Sequence, residues 1–300
     1  MVDISRINNT LGKMGYYLAQ YNCVCVSVSG GSDSDLIVHM IATHFREFLP
    51  KIHFVFSNTG LEWNATKRHL DGLEQKYDIK IDRIRGMSVV TAVRRYGIPV
   101  ISKRHTVVID RYARDVPSGV RQINLDKTEA KGYTFSVKQR QMADAIKERG
   151  IKVSAKCCDY SKKMPLHHYH SKIGCDLVIT GERRAEGGQR AASHTNCFEP
   201  ANGKRRQAKY MPLFFWNDET KAWYKEHEGI VYSDCYEVYG MKRTGCVGCP
   251  FNSRVHDDLL VAKEHEPNLY RAVMNVFGQS YALMDEFNIR KTKILEGLEV

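Results

Sequence analysis

Residues 24–34 constrain what this chain can fold into more than any other stretch. Val24 to Val28 is an apolar, β-branched run that stops at Ser29-Gly30-Gly31, and apolar residues then recur at helical spacing from Asp35 to Phe45. That is a strand, a tight glycine turn and a helix. Ile52 to Phe56 repeats the strand signal before Asn58-Thr59-Gly60, Ala65 to Tyr77 reads as a helix, and Ile79 to Ile84 as a further strand. Asp176 to Thr180 is a short apolar strand closed by Gly181. Strands separated by helices of this length predict an α/β fold, Rossmann-like, with a parallel sheet covered by helices on both faces.

The pattern weakens between Ile101 and Thr134, where basic residues, Pro117 and Gly119 interrupt any period; a partly helical insertion is expected there. Ser136 to Arg149 recovers helical spacing and ends at Gly150, a suitable C-cap. From Pro212 onward no strand alternation is visible, while Leu259 to Glu264, Leu269 to Phe277 and Tyr281 to Phe287 look helical. The expected organisation is a nucleotide-binding domain over residues 1–215, with the insertion at 101–134, and a helical C-terminal appendage over 216–300.

Charge and cysteine content narrow the setting. Lys plus Arg (45) exceeds Asp plus Glu (34), and the excess sits in the middle, with +14 over residues 51–250 against −3 for the two ends. That distribution suits a polyanionic partner or a phosphorylated substrate. Met1-Val2-Asp3 opens a polar segment without a leader core, and no apolar run reaches membrane-spanning length, so a cytoplasmic protein without a membrane partner is expected. Nine cysteines in such a chain point to thiols or metal ligands rather than a disulfide scaffold.

Ser29-Gly30-Gly31-Ser32-Asp33-Ser34 falls where a parallel sheet places its ligands, beyond a strand and at a helix N-terminus. Backbone N–H groups and the helix dipole there favour an anion, the serines add hydroxyls, and Asp33 is a candidate magnesium ligand. The segment lacks the Gly-Lys-Ser/Thr ending of a kinase-type P-loop and the G-x-G-x-x-G of a dinucleotide fold. It resembles instead the pyrophosphate (PP) loop of the adenine nucleotide alpha-hydrolase superfamily. Phe56-Ser57-Asn58-Thr59-Gly60-Leu61-Glu62 is similar to the D/N-T-G-x-E segment of the phosphoadenosine phosphosulfate (PAPS) reductase family. Gly181-Glu182-Arg183-Arg184-Ala185-Glu186, with Arg190, is similar to that family's G-x-R-x-x-E motif. The resemblance spans about Asn22 to Phe251 and includes phage-borne members with an Arg-Thr-Gly-Cys-x-x-Cys-Pro segment. It implies an adenine nucleotide held by Ser29, Gly30, Gly31, Ser32, Asp33, Ser34, Asn58, Thr59, Gly60, Glu62, Gly181, Arg183 and Glu186, with Ser29, Asp33, Arg183 and Arg190 catalytic.

Cys157-Cys158 and Cys246-Val247-Gly248-Cys249 are the sharpest chemical signal. Four thiolates complete a tetrahedral zinc site, and C-x-x-C is a usual half of one. Side chains of adjacent cysteines diverge, which favours an iron-sulfur cube whose separate irons meet separate thiolates. The resemblance points the same way, since Cys-Cys followed by C-x-x-C is similar to the 4Fe-4S ligand set of adenylyl sulfate reductases and of the DNA phosphorothioation enzyme. Zinc, or four buried thiols, stay as alternatives. Lys162 and Lys163 are candidates to offset cluster charge or to bind substrate. Cys23 and Cys25 share one face of the first strand and read as core, His167, His168 and His170 as an exposed helix, and the aromatics from Tyr210 to Trp223 as a packing seam.

The resemblance breaks at one point. The reductases use a cysteine near the C-terminus as nucleophile, whereas none follows Cys249 here. The expected reaction is therefore activation of an acceptor by ATP and magnesium with release of pyrophosphate, then displacement of AMP by sulfur from a donor protein. Ser29, Gly31, Ser32, Ser34, Arg183 and Arg190 would align and neutralise charge, and the basic middle makes nucleic acid a reasonable acceptor. One alternative keeps the fold and takes PAPS or adenylyl sulfate as substrate. Another is a non-catalytic nucleic-acid-binding or redox-sensing iron-sulfur protein.

Overall fold

The computed structural model describes residues 4–125, 134–187, 194–203 and 206–298. In chain order the elements are α1 (Ile4–Gln20), β1 (Val24–Val28), α2 (Ser32–His44), β2 (Ile52–Asn58), α3 (Asn64–Tyr77), β3 (Ile81–Arg85) and α4 (Val89–Tyr96). Next come α5 (Lys103–Ala113), α6 (Pro117–Asn124), α7 (Val137–Glu148), α8 (Lys156–Cys158), α9 (Met164–Lys172), β4 (Leu177–Ile179), β5 (Phe198–Glu199) and β6 (Ala208–Tyr210). Four helices follow: α10 (Asp218–His227), α11 (Asp234–Glu237), α12 (Val255–His265) and α13 (Pro267–Glu286).

The described residues form two units. The first comprises residues 1–57, 64–84 and 165–244; the second comprises 58–63, 85–164 and 245–300. The first unit holds the sheet, in the order β3-β2-β1-β4-β6-β5. β1 lies parallel between β2 and β4, with Val24 opposite both Ile52 and Leu177, and β6 runs parallel to β4. β5 pairs antiparallel with β6. The chain leaves β1 toward β2 on one side and returns to β4 on the other, so the strand order reverses between β1 and β4, where α/β sheets place their ligands.

Alternation along β1 feeds two cores. Val24, Val26 and Val28 join Met14 and Leu18 of α1, Leu36 and Ile41 of α2, and Leu70 and Leu73 of α3. Cys25 points the other way, into a smaller cluster with Val55 and Cys175 that is covered by Leu166, Tyr169 and Ile173. Helices thus cover both faces, as the sequence predicts. Asp35 is buried among these apolar residues and its Oδ2 meets His69 Nε2 at 2.7 Å, tying α2 to α3. Burial raises the Asp35 carboxyl, an effect the His69 contact opposes.

The second unit is helical. α5 packs on α6 and α7, α12 on α13, and α13 on α4. Its core includes Ile109, Ile123, Met142, Ile146, Leu259, Val273 and Phe277. Ser136 caps α7 through a reciprocal bond with Gln139. The expected insertion at 101–134 is helical in α5 and α6, and residues 126–133 lie outside the described residues.

Three sequence readings are corrected. The two last helical patches belong to one 20-residue helix, α13; buried Ser280 interrupts the apolar pattern between them. β5 and β6 went unseen because each is two or three residues long and Lys209 sits within β6. Finally, His167 and His168 of α9 are exposed but His170 turns inward. Its Nε2 is without a hydrogen-bond partner, and burial lowers its pKa to about 4 from 6.5.

Because the folded pKa lies below the unfolded one, His170 contributes stability that is complete above pH 6.5 and is lost as the pH falls through 4. A shift of this size corresponds to about 3 kcal/mol. Denaturant titrations across that window should show a steeper loss in the natural protein than in His170→Leu. Equal slopes would mean that His170 is not held neutral.

Candidate functional site

The site in the first unit starts from the end of β1. Gly30 takes a left-handed conformation (φ 62°), and a Cβ there would stand 2.6 Å from Thr66 Cγ2, so the turn demands glycine. Ser34 closes the loop on itself: its hydroxyl accepts from Ser29 N–H at 3.2 Å and donates to the Gly31 carbonyl at 2.8 Å. Ser29 Oγ accepts from Gly31 N–H at 3.3 Å. Gly31 is the N-cap of α2 and has no side chain to cap it, while the Tyr236 hydroxyl accepts from Ser32 N–H in the first turn. The first turn therefore presents backbone donors and the positive end of a 13-residue helix at the switch point.

Asp33 is the hub of this loop. Its Oδ1 lies 2.8 Å from Arg183 Nε and 2.8 Å from Lys221 Nζ. Lys221 also donates to Ser32 Oγ, and Arg183 Nη1 reaches Asp218 Oδ1 at 2.8 Å. Arg183 is 6% exposed, so its guanidinium is spent on carboxylates and shapes the loop through Asp33. With two cations on one oxygen, Asp33 is badly placed as a magnesium ligand, contrary to the reading from sequence. Gly181 lies against Asp33, where a Cβ would sit 3.1 Å from the Asp33 Cβ, and Glu186 Oε2 accepts from Arg183 N–H at 3.4 Å. Arg190 lies outside the described residues.

Lys221, Tyr236 and Thr244 were missed from sequence. The Tyr236 hydroxyl and Thr244 Oγ1 are 3.2 Å apart, and a Cβ on Gly31 would stand 3.3 and 3.4 Å from them. They come from a stretch without motif or period, so only tertiary packing brings them to the loop. Lys221 had one local signal: it follows Asn217, whose side chain caps α10 by accepting from Thr220 N–H, and so falls in the first turn of a helix.

The second unit contains the remaining predicted residues. The Glu62 carboxylate accepts from Thr59 N–H at 2.7 Å, from the Thr59 hydroxyl and from Gly60 N–H at 3.0 Å, while Asn58 Oδ1 accepts from the same Gly60 N–H. Buried Glu62 therefore holds the turn together from inside. The turn also meets the cysteines: Thr59 Oγ1 is 3.3 Å from Cys246 Sγ, and Val247 N–H donates to the Leu61 carbonyl. Gly248 is left-handed (φ 60°), and a Cβ there would lie 2.3 Å from Val273 Cγ1, so only glycine fits the C-x-x-C bend.

Cys157 and Cys158 end α8 and run into a π-helical turn at Asp159–Lys163, which shifts the helix register beside the pair. The four thiols interact electrostatically: Cys157 with Cys158 and Cys249, and Cys158 with Cys246 and Cys249. A hydrogen bond from Cys157 and the Lys103 ammonium lower the Cys158 thiol to about 6, while burial pushes Cys249 up to about 12. Burial also raises Cys246, an effect opposed by Thr59 and Lys162. No three of these sulfurs lie within 4.8 Å of one another among the described residues. A single tetrahedral zinc at about 2.3 Å would bring its thiolates to roughly 3.8 Å, so the set is wider than a zinc site. Four thiols from two separate segments are the donor type that an iron-sulfur cluster takes.

Removing the hub should separate structural from chemical roles. Asp33→Asn leaves buried Arg183 with only Asp218 as carboxylate partner, and urea unfolding should show a loss of about 3 kcal/mol. Lys221→Met leaves the Asp33–Arg183 pair intact and should lose no more than about 1 kcal/mol. Equal losses would show that the two cations are not ranked in this way.

A curated relative from Methanocaldococcus jannaschii, itself uncharacterised, is 26% identical over 280 residues, which is 92% of this chain and 45% of that protein. The chain thus spans about half the length of this relative. Among solved structures, a PAPS reductase from Candida auris in a phosphate complex has a TM-score of 0.48 at 13% identity, covering 79% of this chain and 87% of that one. The U34-tRNA thiolase NcsA from Methanococcus maripaludis, with its [4Fe-4S] cluster, has a TM-score of 0.37 at 14% identity, covering 99% and 82%. The phosphoadenosine phosphosulfate reductase domain matches residues 23–114 and 121–252, taking in the loop, the Asn58–Glu62 turn, Arg183, Lys221 and all four cysteines, and the chain belongs to that family.

Proposed function

We propose that the chain binds the phosphates of ATP at the loop of residues 29–34, releases pyrophosphate, and so activates an acceptor for sulfur transfer. The observation that carries this reading is the start of α2 at the glycine turn, with Lys221 and Arg183 drawn to Asp33 at its first turn. Backbone donors bind phosphate oxygens there, and Lys221, half-buried on Ser32, is the cation best placed to follow charge onto a leaving pyrophosphate. Magnesium enters with the nucleotide, as substrate.

The sulfonucleotide reductase reading requires a thiol nucleophile. Cys235 is fully buried against Thr66, Cys25 and Cys175 are core, and Cys23 donates to the Ile173 carbonyl. Cys197 is half-buried and lines a cavity beside Tyr210 and Arg6. The four remaining cysteines form the proposed cluster set. Thiol attack would therefore have to use Cys197, which faces that cavity rather than the loop of residues 29–34.

Cys157, Cys158, Cys246 and Cys249 would hold the 4Fe-4S cluster. Bound by four thiolates it would have no open iron, and would supply electron storage and closure of the second unit. The acceptor follows from charge, with nucleic acid suited to the basic middle of the chain. Part of that charge is already neutralised, by Arg114 on Asp110, Lys147 on Asp115 and Arg149 on Glu286.

Anaerobically purified protein should contain about four irons per chain and lose them in Cys246→Ser; zinc without iron would overturn the cluster. With MgATP it should release pyrophosphate, and Lys221→Met should lower kcat/KM by about 100-fold. Sulfite from PAPS and a thiol reductant, with no pyrophosphate from ATP, would decide for the reductase instead.

A further inference from the structure

The first unit contains a second cluster of metal-ligating side chains, away from the cysteines in sequence and in chemistry. One ligand atom each from His39, His44 and Glu228 lies within 4.8 Å of the other two. His39 and His44 are on α2, and Glu228 follows α10 as its C-cap. His39 is 6% exposed, Glu228 is half-buried and His44 is open to solvent, so the group has a rigid inner side and an accessible outer one.

The distances suit one small divalent ion. His39 Nε2 and Glu228 Oε2 are 3.2 Å apart. Two ligands of a tetrahedral zinc at about 2.0–2.1 Å stand roughly 3.3 Å apart. The other ring nitrogen of His39, Nδ1, is 3.0 Å from the Tyr77 hydroxyl. A zinc-bound histidine needs such a partner, because Nδ1–H then donates outward and Nε2 is left as a lone pair toward the metal. Around His39, burial, Lys76 and His44 oppose a positive charge, Glu228 favours one, and the rings of Tyr77 and Tyr224 meet it edge-on.

We propose that His39, His44 and Glu228 form a zinc-type site, two imidazoles and a carboxylate with a fourth position open to water. Two imidazoles with one carboxylate suit zinc, cobalt or nickel better than magnesium or calcium, which prefer all-oxygen shells. Its place in the fold gives it a role. α2 begins at the nucleotide loop and reaches His44, and α10 begins beside Asp33 with Lys221 and reaches Glu228. The two helices are joined at one end by Lys221 and Asp33 and at the other by this cluster. A bound ion fixes their far ends and so holds Lys221 over the loop.

Cobalt(II) titration of metal-depleted protein tests the site without relying on activity. After the thiols have been alkylated, one equivalent should produce visible ligand-field bands with no thiolate charge-transfer band. These should persist in Cys246→Ser and vanish in both His44→Ala and Glu228→Gln, two changes at positions outside the core. Tyr77→Phe, which removes only the hydroxyl on Nδ1, should weaken cobalt binding about 10- to 100-fold. Bands that survive in His44→Ala and Glu228→Gln, or that disappear in Cys246→Ser, would overturn the proposal. Neither result depends on which nucleotide the loop binds.

Discussion

The carboxylate of Asp33 organises the ligand end of the first unit. It gathers three segments that are far apart in sequence: the start of α2, the loop after β4 through Arg183, and the first turn of α10 through Lys221. Half-buried Asp33 is costly without partners, and Arg183, more deeply buried, is costlier still. Each charge is tolerable because the others are present. Arg183 also pairs with Asp218, so two cations meet two carboxylates, and what stays positive at this place is the backbone dipole of the helix start. An incoming phosphate would meet backbone donors at the positive end of that helix.

What the sequence made legible was what the chain encodes locally. Val24 to Val28, the glycines and the spacing from Asp35 to Phe45 each prescribe their own conformation, so strand, turn and helix follow in that order. Parallel pairing and two-sided cover then follow from strand and helix lengths. Lys221 and Tyr236 were not legible, because neither lies in a motif and both reach the loop only through packing after β6. Glu62 shows a different limit. Its position after Asn-Thr-Gly suggests a ligand contact, yet burial and three donors turn its carboxylate inward to hold the turn. The pairing of His39 with Glu228, 189 residues away, had no sequence period to betray it.

The cysteines were legible as a set but not in their setting. Spacing identified C-x-x-C and the adjacent pair, while the π-helical turn at Asp159–Lys163 and the left-handed Gly248 appear only in the fold. Both are departures from regular backbone, and both sit next to the thiols they position. Thr59 adds to this, because its hydroxyl stands between Glu62 and Cys246. A substitution that disturbs the Asn58–Glu62 turn therefore acts on the sulfur set as well as on any ligand.

The chain passes between its two units at places that bear on both chemistries. One crossing falls between Ser57 and Asn58, at the end of β2, where the turn that touches Cys246 begins. Another falls between Thr244 and Gly245. Thr244 bonds Tyr236 beside the nucleotide loop, and Cys246 is two residues further along the chain. A third lies between Met164 and Pro165, directly after the π-helical turn that follows Cys158. Thr244 and Cys246 are thus separated by Gly245 alone, so a substitution at Gly245 would alter the backbone next to both residues, each within its own unit.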